Sequence, residues 1–133
     1  MNGTGKVKEY NRFFDKLEFE GEYLNGKRNG KGKEYIFDGK LLFEGEYLNG
    51  KRHGKGKEYD RLNGNIIFEG EYLNGKRNGN GKEYNFFYGK LLFEGEYLNG
   101  KRHGKGKEYD FDGKLLFEGD YLNGKKVLIL FIK

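Results

Sequence analysis

The chain has 133 residues with 26 Lys and Arg against 21 Asp and Glu, a formal net charge of +5, which suits one domain or one short repeat array. Only 35% of the residues are apolar, and 12 Phe and 11 Tyr supply much of that fraction, so the expected core consists of aromatic rings. The sequence has no Ser or Cys and its single Thr is Thr4, which excludes serine and cysteine nucleophiles, disulfides and thiolate metal sites.

The N-terminal segment has the sequence of half a repeat. Residues Gly5 to Tyr10 (GKVKEY) match Gly30 to Tyr35 (GKGKEY), except that Val7 stands where Gly32 does. The array is therefore predicted to begin in the middle of a repeat, and residues 1–18 are assigned to this half copy.

Five copies of one motif follow. The string FEGEYLNGK begins at Phe19, Phe43, Phe68 and Phe93 and returns as FEGDYLNGK at Phe117, in steps of 24, 25, 25 and 24 residues. The one-residue variation falls in the connector before the next copy, as expected for an exposed turn. This spacing predicts one array with full repeats at 19–42, 43–67, 68–92 and 93–116 and a last repeat at 117–133.

Each copy predicts two strands and two turns. From Leu41 to Leu48 the residues alternate with the period of a strand, and Asn49-Gly50 is a strong hairpin signal. The return strand is expected from Gly54 to Asp60, so the loop is expected to exceed two residues. Because short connections force antiparallel neighbours, the predicted fold is all-β: a single-layer, twisted antiparallel meander of tandem hairpins with about 10–11 strands.

The two faces of this sheet are expected to differ in chemistry. Phe43 and Tyr47 should cover bare glycine backbone on the neighbouring strand, which restores buried apolar area. The other face should set the glutamates of one strand beside the lysines of the next. Counted from Gly56, Tyr59 points to this charged face unless a bulge intervenes, and the sequence leaves that position open.

The segment from Phe43 to Gly56 (FEGEYLNGKRHGKG) resembles the MORN repeat, in which two aromatic residues flank a glycine and a Gly-x-Gly follows. The motif's first aromatic falls on Phe19, Phe43, Phe68, Phe93 and Phe117, and its second on Tyr23, Tyr47, Tyr72, Tyr97 and Tyr121. The resemblance spans roughly residues 5–126. It implies an open antiparallel ribbon and a role in scaffolding, in protein binding or, for some members, in binding anionic phospholipids. Tyr stands in place of the frequent Trp, and Lys-Glu-Tyr followed by Gly-Lys-Leu resembles the divergent subtype of bacterial antitoxin-like proteins.

A basic pair after each Asn-Gly forms the first candidate site. These pairs are Lys27 and Arg28, Lys51 and Arg52, Lys76 and Arg77, Lys101 and Arg102, and Lys125 and Lys126. Successive pairs are expected about 9.5 Å apart along one sheet edge, a ladder of about 38 Å. It is a candidate for binding anionic phospholipids or other phosphates. The alternative is that the charges only keep the protein soluble and prevent the sheet edge from pairing with another chain.

The ten motif aromatics form a second candidate, an aromatic groove. In a single-layer sheet such rings either make up the core or present a surface to a partner, and both interpretations stay open.

Catalytic, metal and cofactor sites are not expected. His53 and His103 occupy the same position two repeats apart, about 19 Å, which is too far to share a metal ion. The loop from Gly50 to Lys55 lacks the spacing and the Ser or Thr of a nucleotide-binding loop. A modest net charge with interleaved Glu makes nucleic acid an unlikely partner.

The C-terminal run breaks the motif. Val127, Leu128, Ile129, Leu130, Phe131 and Ile132 are six apolar residues in a row. They predict a strand that is apolar on both faces and too short to span a bilayer. The run is a candidate self-association edge, and folding back as a terminal cap is the alternative.

The leading functional hypothesis is a non-enzymatic scaffold that mediates protein–protein interaction, with a homodimer through the terminal strand as one form of it. The alternative is a peripheral membrane module that binds anionic phospholipids through the basic ladder, and salt dependence distinguishes the two. With no signal peptide and no membrane-spanning stretch in the sequence, the expected location is the cytoplasm, with association with a membrane or the cytoskeleton left open.

Overall fold

The computed structural model describes residues 3–128, which form one sheet of eleven strands. The strands are β1 Gly5–Tyr10, β2 Leu17–Leu24, β3 Lys27–Tyr35, β4 Leu41–Leu48, β5 Lys51–Tyr59, β6 Ile66–Leu73, β7 Lys76–Tyr84, β8 Leu91–Leu98, β9 Lys101–Tyr109, β10 Leu115–Leu122 and β11 Lys125–Lys126. Their order in the sheet is their order in the chain, with antiparallel pairing throughout, which confirms the predicted all-β meander. None of the described residues forms a helix long and apolar enough to cross a membrane.

The hairpin turns are shorter than expected. Asn49 and Gly50 have φ angles of 50° and 87°, the conformation of a two-residue type I′ turn, and β5 begins directly at Lys51. The expected longer loop with a return strand from Gly54 is therefore wrong. Because Asn and Gly tolerate positive φ, two residues suffice to reverse the chain, and the basic pair after the turn belongs to the strand.

A bulge in each of the return strands β3, β5, β7 and β9 contains the residues that the sequence predicts in the loop. Gly45 pairs with Gly56 and Tyr47 pairs with Arg52, so three residues of β5 lie opposite one residue of β4. Gly54 has a φ of 87° in this bulge, and the next backbone N–H, of Lys55, donates to the Glu46 carboxylate at 2.6 Å. The same hydrogen bond recurs in other repeats, so each bulge forms a small carboxylate cradle.

Tyr59, whose orientation the sequence left open, points to the charged face. The Tyr59 hydroxyl donates to Glu44 Oε1, and Glu44 lies on the face that carries the Glu and Lys side chains. In the ladder, Glu44 is the cross-strand neighbour of Lys33 on one side and of Lys57 on the other. The expected alternation of glutamate and lysine strands is confirmed.

The core lies on the opposite face. Phe19, Phe43, Phe68 and Phe93 are fully buried, and Tyr47, Tyr72, Tyr97 and Tyr121 are nearly so. The Phe43 ring makes edge contacts with Tyr47 of its own repeat and Tyr72 of the next, with centroid distances of 5.8 and 5.2 Å. A Cβ built on Gly56 would lie 2.5 Å from Phe43 Cζ, so the ring covers bare glycine backbone as expected.

Candidate functional site

Arginine side chains close the aromatic face. The guanidinium carbon of Arg52 lies 4.0 Å from the centroid of the Phe43 ring, a cation–π geometry, and Arg28, Arg77 and Arg102 stack on their own repeats' Phe in the same way. Lys126 takes this place over Phe117 at 5.0 Å. The predicted aromatic groove is thus not an open surface, because its rings form the core beneath a layer of cations.

Each stacked arginine also joins a Glu–Tyr–Arg cluster that crosses a repeat boundary. Arg52 makes two hydrogen bonds to the Glu34 carboxylate of the preceding repeat, at 2.8 and 3.2 Å, and the Tyr47 hydroxyl donates to the same group. Burial raises the pKa of Glu34, but hydrogen bonds from Arg52 and Tyr47 outweigh it and lower the pKa below its ordinary value. Equivalent clusters surround Glu58 and Glu83.

These clusters change the candidate basic ladder. Four of its arginines turn onto the aromatic face, and their charges are met by carboxylates within 2.7 to 2.8 Å. The first lysine of each pair remains exposed and faces an exposed leucine across the hairpin. The pairs are Leu24 with Lys27, Leu48 with Lys51, Leu73 with Lys76, Leu98 with Lys101, and Leu122 with Lys125. We call this row the Lys–Leu edge.

The charged face forms an open trough that crosses every strand from β1 to β10, with a volume of about 2030 Å³. Each strand contributes three consecutive residues, a central glycine (Val7 in β1) whose backbone forms the floor and a polar residue on either side. Odd-numbered strands supply nine Lys and one Asn, and even-numbered strands supply nine Glu and one Asp. With strands about 4.8 Å apart, the charged trough is about 43 Å long.

The carboxylates and the ammonium groups of the trough differ in how far contacts within the protein fix them. Within residues 3–128, eight of the ten trough carboxylates accept a hydrogen bond from the protein itself: Glu44, for example, accepts from Tyr59, and Glu46 accepts from the bulge N–H of Lys55. By contrast, Lys107 is the only trough ammonium that forms an ion pair within residues 3–128, at 3.9 Å from Glu118. The lysines are therefore the groups that a bound segment can engage without breaking existing bonds.

Tyrosines form one rim of the trough. Tyr35, Tyr59, Tyr84 and Tyr109 donate their hydroxyls to Glu20, Glu44, Glu69 and Glu94. Burial and then the hydrogen bond to Glu20 raise the pKa of Tyr35 to about 12, and the same two causes, with Glu69 as the acceptor, raise that of Tyr84 to about 12.

A tyrosinate titration tests this rim. Because a raised folded pKa favours the protonated native state, the contribution of Tyr35 to stability is complete below its ordinary pKa of 10.0 and is lost as the pH rises through about 12. Ultraviolet absorbance of the wild type and of a Glu20→Gln variant should show one tyrosine shifting back toward pH 10 in the variant. Superimposable curves would contradict the assigned hydrogen bond.

An exposed apolar row at the connectors was missed by the sequence analysis. Its members are Phe13, Phe14, Phe37, Leu62, Phe86, Phe87, Tyr88 and Phe111, with exposures from 42% to 82%. Lys40 Nζ donates to the Leu62 carbonyl and Lys90 Nζ to the Phe111 carbonyl, so successive connectors brace one another. The signal available in the sequence was an aromatic or Leu residue inside a turn-forming segment, which is expected at the protein surface. We call this row the connector row.

The other candidates from the sequence do not form a recognisable site within the described residues. In residues 3–128 no three His, Asp or Glu side chains gather as metal ligands. Val127 and Leu128 are exposed, and the Val127 N–H donates to the Asp120 carbonyl at 2.8 Å. The rest of the predicted self-association edge, Ile129, Leu130, Phe131 and Ile132, lies outside the described residues.

The fold and its surfaces define an open-sheet repeat protein, in which one face is the core and the other is accessible along the whole array. The family model of the MORN repeat matches residues 19–40, 43–61, 68–85 and 93–114. The chain belongs to the MORN repeat family, whose members are generally protein- or membrane-interaction modules and non-enzymatic scaffolds. A comparison with curated proteins finds no match.

Proposed function

We propose that this chain is a non-enzymatic scaffold that binds an elongated protein segment along the charged trough. The observation that supports this is the continuity of the trough, which is open and crosses ten strands in the same register. The aromatic face offers no comparable opening, because four of its five Phe rings are fully buried beneath arginines and the fifth, Phe117, is partly buried beneath Lys126. A cytoplasmic location, with recruitment to a membrane or to the cytoskeleton, is part of the proposal, and fractionation of cells expressing the tagged chain tests it.

The electrostatics of the trough indicate the chemistry of the partner. Nine Lys and ten carboxylates nearly cancel, so long-range attraction is weak and recognition depends on short-range pairing. Lys31, Lys33, Lys55 and Lys57 are exposed, while the neighbouring carboxylates are held by hydrogen bonds. Carboxylates on the partner at a spacing of about 9.5 Å would meet successive lysine strands.

Site-specific photocrosslinking tests the trough. A photoreactive residue at Lys57 or Lys82 should give discrete protein adducts in cells, and one at Phe37 in the connector row should not. For a partner identified in this way, the charge reversal Lys57→Glu with Lys82→Glu should weaken binding at least tenfold. Adducts confined to the connector row, or unchanged affinity after charge reversal, would contradict the proposed function.

A membrane role is the second candidate, and the Lys–Leu edge favours it. Five exposed lysines beside five exposed leucines, all at one edge, combine cationic attraction with apolar contact at an anionic bilayer. Flotation with neutral and anionic liposomes, at about 0.1 M and about 1 M salt, measures this directly. The variant Lys51→Glu with Lys76→Glu should abolish flotation, and the trough variant with the same change of charge is its matched control.

Self-association through residues 127–133 is a further part of the proposal that comes from the sequence. Deleting these residues should convert a dimer into a monomer in light scattering. A full-length chain that is already monomeric would exclude this form of scaffolding.

A further inference from the structure

Strand β1 carries lysines toward the trough like β3, β5, β7 and β9, but within residues 3–128 it has a neighbouring strand on one side only. Strands β3, β5, β7 and β9 each lie between two glutamate strands. Lys6 and Lys8 of β1 pair with Glu22 and Glu20 of β2 on one side only. Within residues 3–128, the outer edge of β1 faces no other strand, so its backbone hydrogen-bonding groups remain open to an added strand.

The carboxylate cradle on this outer edge is formed although nothing in the described residues fills it. In the repeats, the bulge glycine sits against the glutamate of the preceding strand: a Cβ on Gly30 would lie 2.9 Å from Glu22 Oε1. Gly5 is the equivalent glycine of β1 and keeps a positive φ of 119°, yet a Cβ there would meet no atom within 4 Å. The backbone of β1 is thus already shaped for a glutamate carboxylate.

Val7 restricts what can bind there. At the equivalent Gly32, a Cβ would lie 2.5 Å from Cζ of Phe19, the aromatic ring of the preceding strand. A strand of the chain's own FEGEYL type, added before β1, would place its Phe in the space that the Val7 side chain occupies. The position therefore rejects such strands, including β10 of a second copy with its Phe117.

The position of the neighbouring Tyr23 ring is consistent with steric crowding by the Val7 side chain. A Cβ on Gly32 would lie 3.0 Å from Tyr47 Cε1, and Tyr23 holds that relation to Val7. Tyr23 is tilted at 52° to Phe19 with centroids 6.3 Å apart, whereas the pair Phe43 and Tyr47 meets at 85° and 5.8 Å. The Tyr23 ring is therefore farther from its Phe and more tilted than the Tyr47 ring is, as expected if Val7 crowds it.

We propose that the outer edge of β1 binds an extended acidic segment of a partner protein, which pairs antiparallel with β1 as an additional strand. The segment carries Glu-small-Glu, with the first Glu opposite Lys8, the small residue opposite Val7 and the second Glu in the cradle of Gly5 and Lys6. Two positions before the small residue it has no bulky side chain. This site shares Lys6 and Lys8 with the end of the trough. It differs from the binding mode proposed for the trough, because the added strand lies along the outer edge of β1 and not across the strands.

Two peptides and one variant test the proposal. The peptides LLAEGEYL and LLFEGEYL differ only at the residue expected to contact Val7, and NMR titration of the full chain follows the amides of residues 5–10. The alanine peptide should shift these amides, and the phenylalanine peptide should bind at least tenfold more weakly. In a Val7→Gly variant this discrimination should disappear. A peptide with Gln in place of both Glu should bind more weakly to either protein.

The wild-type titrations decide the proposal even if the variant folds poorly. No shift of the β1 amides with the alanine peptide would overturn it, as would shifts confined to the trough of other strands. Concentration-dependent oligomers of the wild type that shift the same amides would also overturn it, because the occupant would then be a second copy of the chain.

Discussion

Replacing Gly56 by Ala is expected to lower the free energy of unfolding by about 3 kcal/mol, at the upper end of overpacking effects. The added Cβ would lie 2.5 Å from Phe43 Cζ and 3.0 Å from Tyr72 Cε1, and both rings are buried among other rings. Gly56 does not have a positive φ, so the alanine fits the backbone and the loss is steric. Urea unfolding followed by circular dichroism measures it.

Two controls test whether the loss of stability in Gly56→Ala is steric: the same substitution at Gly64, and Gly56→Ala in a Phe43→Leu background. Gly64→Ala adds a Cβ with no atom within 4 Å at a φ of +77°, so it should cost only the conformational penalty of about 1 kcal/mol. In a Phe43→Leu background, Gly56→Ala should cost at least about 1 kcal/mol less than in the wild type, because the ring it strikes is gone. Equal losses for Gly56 and Gly64, or additive losses with Phe43→Leu, would contradict the assigned contact.

Replacing Glu58 by Gln should have the second large effect, a loss of about 2 kcal/mol at neutral pH. Glu58 accepts two hydrogen bonds from Arg77 and one from Tyr72, and its side chain is 21% exposed. Losing one partner of a buried ion pair costs about 3–5 kcal/mol, and partial exposure reduces this figure. Glu118→Gln is the matched control, because Glu118 also neighbours a lysine but is 61% exposed and should cost less than about 0.5 kcal/mol.

The same variant should flatten the acid side of the stability profile. Burial raises the pKa of Glu58, but the hydrogen bonds from Arg77 and Tyr72 outweigh it, so the folded pKa lies below the ordinary 4.5. A lowered folded pKa stabilises the native state above the unfolded pKa, and this contribution disappears as the pH falls from about 5.5 through the folded pKa. Unfolding of the wild type and Glu58→Gln at stepped pH should therefore give curves that converge in acid. Parallel curves would show that the ion pair contributes little.

The repeat made the architecture predictable, because alternation within LLFEGEYL identifies a strand and Asn49-Gly50 identifies a turn. The same alternation failed beyond the turn. Three residues of β5 lie opposite one residue of β4 at the bulge, so counting along the chain loses the register there. For this reason the sequence pattern predicts Arg52 in a loop, whereas it lies in a strand and stacks on Phe43.

The Glu–Tyr–Arg clusters were accessible to sequence reasoning in part. Glu58 is two residues from Gly56, which places it on the aromatic face, and a carboxylate on an apolar face calls for a partner. The partner could not be named, since Arg77 comes from the next repeat through a bulged strand.

The trough could not be predicted from the sequence either, because alternation tells which side chains share a face but not how the sheet curves.

The identical register at each repeat boundary makes the array a molecular ruler. Gly45 pairs with Gly32 and Gly56, and the same glycine ladder recurs through Gly70, Gly81, Gly95 and Gly106. Inserting or deleting one copy in frame would therefore change the end-to-end span by about 9.5 Å and preserve the register of the remaining strands. Selection can adjust how far apart the two ends stand without redesigning any repeat.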